Sequence, residues 1–213
     1  WFESIRAHHK LMFNNHNLKK NFKSFLKLYK NRPIKNNSSG MRIEHCFAVY
    51  SLLKKIQPMN VIESGVWRGQ TTWLIKNTLK NVNIFSLDLD MSNRKIIYDD
   101  VKYFDKDITK INWSKLNKNK TLIIFDDHVC FSKRINFLLK NKFKHIIFDD
   151  NLPNGFVSYY TPKIIYENKI LVKKKYIKYS NLKIFFEFIL KYYFLGNKKK
   201  INIEFKNNFL KVI

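Results

Sequence analysis

Cysteine is scarce in this chain of 213 residues. Cys46 and Cys130 are the only two, and neither has a partner at the spacing of a disulfide framework or a zinc knuckle. A reducing, cytosol-like compartment follows, and the chain is expected to be cytoplasmic. Long hydrophobic runs are also missing. None approaches the roughly 18 uninterrupted apolar residues of a spanning helix, and the best candidate, Ile184 to Leu190, carries Glu187. No transmembrane segment is therefore expected. Arginine is rarer than the 41 basic residues suggest: six are Arg (Arg6, Arg32, Arg42, Arg68, Arg94, Arg134) and the other 35 are Lys. Readers of phosphates and base edges lean on the guanidinium fork, and no RRM, KH, helix-turn-helix or zinc-finger signature is present. The net charge of +25 thus reads mainly as the compositional drift of an AT-rich genome, with attraction of an acidic partner as its second source. The chain opens at Trp1 rather than Met, so its N-terminus reads as incomplete.

What is there suffices for one folded domain. Apolar residues make up 45% of the chain, too many for wholesale disorder, and the length supports a full hydrophobic core. The charges are unevenly placed. Residues 1–40 carry nine bases against one acid, and residues 156–213 carry 13 against three. Ten of the 16 acids fall between Asp88 and Asp150, several as pairs: Asp99–Asp100, Asp126–Asp127 and Asp149–Asp150. The first pair reads as solvated surface. The other two end apolar runs and ask for a reason.

Apolar periodicity organises the chain. Residues 2–30 read as basic helical material, with Phe13, Leu18, Phe22, Phe25, Leu26 and Tyr29 at helical spacing, and Asn31–Gly40 as a loop. A helix is predicted from about Arg42 to Ile56, ending before Pro58. Strands are predicted at Asn60–Glu63, Val82–Leu89, Val101–Phe104, Thr121–Phe125 and His145–Phe148. Helices over Thr71–Lys80 and Phe131–Lys142 intervene. Alternation of this kind means βαβ units, a mostly parallel sheet and a three-layer α/β/α sandwich. The remainder reads as a short C-terminal α+β tail: a helix over Asn181–Leu195, a strand at Lys200–Phe205, and Phe209–Ile213 as a further strand. Three segments follow: a basic helical extension and loop (1–40), the α/β domain (41–166) and the tail (167–213), which completes or caps the same domain. One echo sharpens the picture. Ile123-Ile-Phe-Asp-Asp127 recurs as Ile146-Ile-Phe-Asp-Asp150, which would bring both Asp pairs out beyond the carboxyl ends of neighbouring strands. Open α/β sheets bind ligands there.

The first predicted strand runs into Glu63-Ser-Gly-Val-Trp-Arg-Gly69, then a helix. Gly65 and Gly69 allow close approach of backbone to a ligand, and the helix amides behind them can bind a carboxylate. The loop lacks both the G-x-G-x-x-G fingerprint and the Gly-Lys-Ser/Thr of a P-loop. An acid ahead of the glycines would repel pyrophosphate and suits a cationic ligand. Asp88 ends the next strand about twenty residues on, where a carboxylate can accept ribose hydroxyls; Asp90 is the alternative.

The acid-x-Gly-x-x-x-Gly spacing resembles motif I of class I S-adenosylmethionine-dependent methyltransferases, which have a Rossmann-like fold. The resemblance spans about Val61–Asn151. It implies a cofactor site made by Glu63, Ser64, Gly65, Trp67, Gly69, Thr71 and Asp88, with Asp107 (or Asp105) near the adenine, and Asp126. The steps Phe125-Asp-Asp-His128 and Phe148-Asp-Asp-Asn151 further resemble the metal site of catechol-type O-methyltransferases, and that of macrocin-type sugar O-methyltransferases. The implied ligands of Mg²⁺, or another divalent cation, are Asp127, Asp150 and Asn151. The catechol family carries its general-base Lys where this chain has Cys130, so the base falls to His128, or to Lys133; His128 serves equally as a group that orients Asp127.

The resemblance implies a metal-assisted methyl transfer to a small molecule or glycan with vicinal oxygens, an acidic acceptor being compatible with the basic flanks. The loop Asn36–Gly40 and the segment Leu152–Tyr160 are expected to flank the site, with Tyr159 and Tyr160 available to stack on a ring. A homodimer is a further expectation, the tail either completing the sheet or forming the interface. Two readings compete. A nucleic-acid methyltransferase would use the basic flanks, but the Asn/Asp-Pro-Pro-aromatic motif of base N-methylation is absent. A non-catalytic module would dock on an acidic membrane or partner through Lys173–Lys175 and Lys198–Lys200. Acids at Glu63, Asp88, Asp127 and Asp150 favour the enzyme.

Overall fold

The computed structural model of the protein describes residues 15–149, Glu204–Lys206 and Phe209–Lys211. Asp150, Asn151, Leu152–Tyr160, the expected helix over Asn181–Leu195 and the lysine clusters of the tail lie outside the described residues.

The first described helix, α1 (Asn15–Lys30), is amphipathic by spacing: Phe22, Phe25, Leu26 and Tyr29 share one face. It ends in Lys27 and Lys30, charges that complement the C-terminal end of the helix dipole. Phe25 is fully buried, with its ring 5.1 Å from Tyr29, 5.3 Å from Phe47 and 5.6 Å from Tyr50. The segment expected as an extension therefore contributes to the main core. After the loop over 31–42, α2 (Ile43–Ile56) stops where Gln57 turns left-handed and returns its N–H to Leu53 O. Pro58 then prevents continuation.

Five strands follow: β1 (Asn60–Ser64), β2 (Asn83–Leu87), β3 (Val101–Phe104), β4 (Thr121–Phe125) and β5 (His145–Phe148). Helix α3 (Gln70–Thr78) joins β1 to β2, and α4 (Phe131–Asn141) joins β4 to β5. All neighbouring pairs are parallel, in the order β3-β2-β1-β4-β5. This is the Rossmann-like arrangement the alternation predicts. The chain builds outward from β1 through β3, crosses back, and lays β4 on the other side of β1. The reversal opens a crevice between the carboxyl ends of β1 and β4.

Side chains alternate across the sheet. Val61, Ile84, Leu122, Ile124 and Ile147 pack with α1, α2 and α3 on one face. Ile62, Phe85, Ile123, Phe125 and Ile146 pack with α4 and Trp113 on the other. Both faces are covered, as a parallel sheet requires, which explains the unbroken apolar run of Thr121–Phe125. The repeated Ile-Ile-Phe lies in register, Ile123 beside Ile146, Ile124 beside Ile147 and Phe125 beside Phe148. In the tail, β6 (Glu204–Lys206) and β7 (Phe209–Lys211) pair with each other, antiparallel, in a separate two-stranded sheet. Of the expected strand over Lys200–Phe205, Glu204 and Phe205 are among the described residues and lie in β6. No helix among the described residues is long and apolar enough to cross a membrane.

Candidate active site

The carboxyl ends of β1, β2 and β4 are tied into one edge by the turns that leave them. Gly65 N–H donates to Leu87 O and Asp126 N–H to Ser64 O, each at 2.8 Å. Gly65 has φ +99°, and a Cβ there would lie 1.9 Å from Asp126 O. Only glycine lets the β1 turn pass this close to the β4 turn. Gly69 (φ +88°) precedes the first turn of α3 and lies against Ile96. Trp67 is also left-handed, at φ +49°, an uncommon conformation for a bulky residue.

Asp88 holds this turn in shape. Its Oδ2 accepts from Val66 N–H at 2.9 Å and Trp67 N–H at 3.0 Å, and its Oδ1 from Asp90 N–H at 3.2 Å. Asp90 is exposed and accepts from Ser92 N–H. Of the two alternatives, Asp88 is the carboxylate built into the loop. From outside, Trp67 Nε1 donates to Ser38 O at 3.1 Å, and Arg68 Nη1 to Asn36 O at 2.9 Å. The segment Asn36–Gly40 thus flanks the glycine turn as expected.

Glu63 and Ser64 point to opposite faces of β1. Glu63 is fully buried, and its Oε2 accepts from Thr72 Oγ1 and Ser86 Oγ, both at 2.6 Å. Its Oε1 is buried without a hydrogen-bond partner among the described residues. Burial, opposed by those two hydroxyls, pushes its pKa up to about 7. Glu63 therefore braces β1, β2 and α3 from beneath the loop and does not face the crevice. Thr71, buried at the start of α3, is not the hydroxyl that reaches it; Thr72 is.

Ser64 faces the other layer and donates to Asp127 Oδ2. The same oxygen lies 2.6 Å from Arg134 Nη2, and Asp127 Oδ1 accepts from Val129 N–H at 3.3 Å. Arg134 comes from α4, its side chain 3% exposed. It also forks onto Asp107, Nη1 to Oδ1 at 3.2 Å and Nη2 to Oδ2 at 3.0 Å. Asp107 accepts Thr109 N–H and Oγ1–H as well. One guanidinium thus serves two carboxylates unequally. Burial raises the Asp107 pKa less than Arg134 and Thr109 lower it, leaving it at about 2. For the more buried Asp127, burial outweighs the attraction of Arg134, and its pKa is raised.

The arrangement tests a divalent ion at Asp127. Oδ2 already takes two donors, which fills the two acceptor directions of a carboxylate oxygen. An ion at this oxygen would have to displace Ser64 or Arg134 from it. As placed, Asp127 Oδ2 has no direction left for a Mg²⁺ ion. Among the described residues, no group of three or more His, Cys, Asp or Glu is disposed to hold a metal ion.

At the β5 end, His45 Nδ1 lies 2.8 Å from Asp149 Oδ1, and Asp149 N–H donates to Phe125 O at 2.8 Å. Burial lowers the His45 pKa, but the hydrogen bond and charge of Asp149 outweigh it, and the net shift is upward. From sequence, His45 has no constellation and reads as a surface or packing residue. The fold supplies the constellation by laying the first turn of α2 against the end of β5. Beside it, Cys46 is buried and its thiol pushed up to about 12, by burial first and then by the charges of Asp149 and Asp126. His128 (φ +54°) and Lys133 are exposed. Asp126 is half-buried between the β1 and β4 turns.

Sequence reasoning missed His45 and Arg134. For Arg134 a signal existed: in a chain of 35 lysines, the rare arginines mark positions that use a planar fork. Arg32 and Arg94 stack on Tyr29 and Tyr103 at 4.4 and 4.1 Å. Arg68 lies 5.5 Å from the Trp67 ring centroid.

No protein-family model and no curated protein matches the chain. Solved structures do. A CmcI structure described with SAH is 16% identical at a TM-score of 0.43, over 51% of this chain and 61% of that one. A CmcI structure described with Mg and SAM is 18% identical at 0.42, over 50% and 52%. The plantazolicin methyltransferase BpumL, in complex with a monoazolic desmethylPZN analog and SAH, is 15% identical at 0.37, over 68% and 55%. The chain thus spans between about half and three-fifths of the length of these structures. Likenesses at this level of identity concern the fold alone.

Proposed function

We propose that the chain is an S-adenosylmethionine-dependent O-methyltransferase that binds its cofactor outside the carboxyl ends of β1, β2 and β4. The observation that carries this reading is the glycine turn of β1, held by the Asp88 carboxylate at the switch point of a parallel sheet. The residues fit such a ligand. The turn brings backbone, rather than side chains, to the crevice at Gly65 and Gly69. Asp88 Oδ2 is taken by the loop amides, while its Oδ1, which accepts only from Asp90 N–H, has a direction left for a hydroxyl donor. Bound there, the cofactor supplies an electrophilic methyl group carried on a sulfonium.

The protein's own part is to hold, orient and deprotonate. Asp88 and the glycine turn it shapes position the adenosine end, and Trp67 ties that turn to the 31–42 loop. The acceptor hydroxyl must lose its proton as the oxygen takes the methyl group. His45, oriented by Asp149 and made more basic by it, is a proton acceptor at the β4–β5 edge; His128 and Lys133 are the alternatives on the exposed side of the β4 turn. No step passes through a divalent ion, because Arg134 stands on Asp127. An acceptor of small-molecule or glycan type rests on the resemblance of the strand-end motifs.

Calorimetric titration with S-adenosylhomocysteine tests the reading. Binding is expected for the wild type and should weaken about tenfold or more in Asp88→Asn, whose amide cannot accept at both oxygens. Absence of binding by the wild-type chain would refute the assignment.

A further inference from the structure

Arg134 is the one basic side chain described as buried in the candidate site, and it joins three separate pieces of it. Asp107 follows β3, Asp127 follows β4, and Ser64, at the end of β1, shares Asp127 with it. The guanidinium makes a two-pronged contact with Asp107 and a 2.6 Å contact with Asp127. Its side chain is almost fully excluded from water, and Nε has no partner among the described residues. Phe125, in β4, lies 5.4 Å from the guanidinium carbon at its ring centroid. A cation so placed can leave only by exposing two carboxylates and an unpaired guanidinium.

We infer that Arg134 is the resident cation of the Asp107–Asp127 pair, standing where a divalent ion would stand, so that Asp127 is a structural carboxylate and not a metal ligand. Arg134 is then a positioning residue: it binds the β1, β3 and β4 ends into one crevice wall and keeps the pair compensated without metal. The inference rests on the methyltransferase reading only for the purpose of the crevice. Its own content, which cation Asp127 holds, is measured without cofactor.

The test uses the full chain, stripped with chelator, and Mn²⁺ alone as the probe, followed by electron paramagnetic resonance. In the wild type, Mn²⁺ binding, whether absent or present elsewhere, is expected to be unchanged by Asp127→Asn. Arg134→Gln removes the charge while keeping much of the side-chain volume. It leaves Asp107 and Asp127 facing each other, so Mn²⁺ affinity should rise at least about tenfold and the melting temperature should rise with added Mn²⁺. Wild-type Mn²⁺ binding abolished by Asp127→Asn would overturn the inference, and so would no gain in Arg134→Gln. Should Asp127→Asn fail to fold, the Arg134→Gln titration decides. Should that variant fail as well, Arg134→Lys decides: it retains a cation but not the fork, and it should gain no Mn²⁺ affinity. A gain there would overturn the inference. Failure of cofactor binding leaves all these readings unaffected.

Discussion

Glu63 shows how one side chain can serve a site it does not touch. Its carboxylate is enclosed between β1, β2 and α3, where Thr72 and Ser86 donate to one oxygen. Burial raises its pKa from 4.5 to about 7, so the folded protein holds this proton more tightly than the unfolded chain. The sign follows by linkage: the contribution to stability is fully present below pH 4.5 and is lost as pH rises through about 7. The span corresponds to roughly 3 kcal/mol. Glu63→Gln keeps an acceptor for the two hydroxyls but cannot ionise. Urea denaturation across that window should therefore show a falling stability for the wild type and a flatter one for the variant. Equal slopes would mean that Glu63 does not titrate there.

Elements reach the site through packing that no local pattern announces. Helix α1 reads from sequence as a basic extension, yet Phe25 is inserted among Tyr29, Phe47 and Tyr50, beside the helix whose first turn carries His45. Phe25→Ala should cost about 3–5 kcal/mol and loosen the placement of α2. The check is a chemical melt, followed by comparison of S-adenosylhomocysteine affinity at temperatures where the variant remains folded. A loss near zero would mean that α1 is an appendage after all. The β elements were far more legible. Strands β3, β4 and β5 have the predicted bounds; central β4 is buried along its length because both its faces are covered, whereas edge strand β3 leaves Lys102 exposed. Strand β2, Asn83–Leu87, is shorter than predicted at both ends; just past it, Asp88 N–H still donates to Phe104 O while its carboxylate accepts the loop amides.

For the molecule as a whole, the positive charge and the candidate site are separate matters. The acids gather at the strand ends, while the basic excess, present along the whole chain, is densest in the flanks. Attractions between the exposed lysines and a distant partner are screened over about 8 Å at physiological salt; contacts inside a crevice are not. Cofactor affinity should therefore change less than about threefold between 50 and 300 mM salt. Polyanion binding through the flanks should fall about a hundredfold or more over the same range. Titrations with S-adenosylhomocysteine and with a short RNA at both salts check this. RNA binding that stays tight at high salt, with methyl groups incorporated into the RNA, would shift the reading to a nucleic-acid methyltransferase.

The alternation of strands and helices, the glycine turn after β1, and the positions of Asp88 and of the paired acids at strand ends were all legible from the order of residues alone. These are local facts: periodicity fixes the element, and the acid that ends an apolar run must emerge where the strand stops. What surrounds those acids came from folding. Glu63 went beneath the loop because strand alternation turns it toward α3, and Ser64 with Asp127 went to the face that α4 covers. Arg134 became the partner of Asp107 and Asp127, and His45 that of Asp149. Asp127 and Arg134 are seven residues apart, but Asp107 and Arg134, Ser64 and Asp127, and His45 and Asp149 lie far apart in the chain, and no local spacing couples them. The order β3-β2-β1-β4-β5 does, by setting β4 beside β1 and folding a helix over each face of the pair.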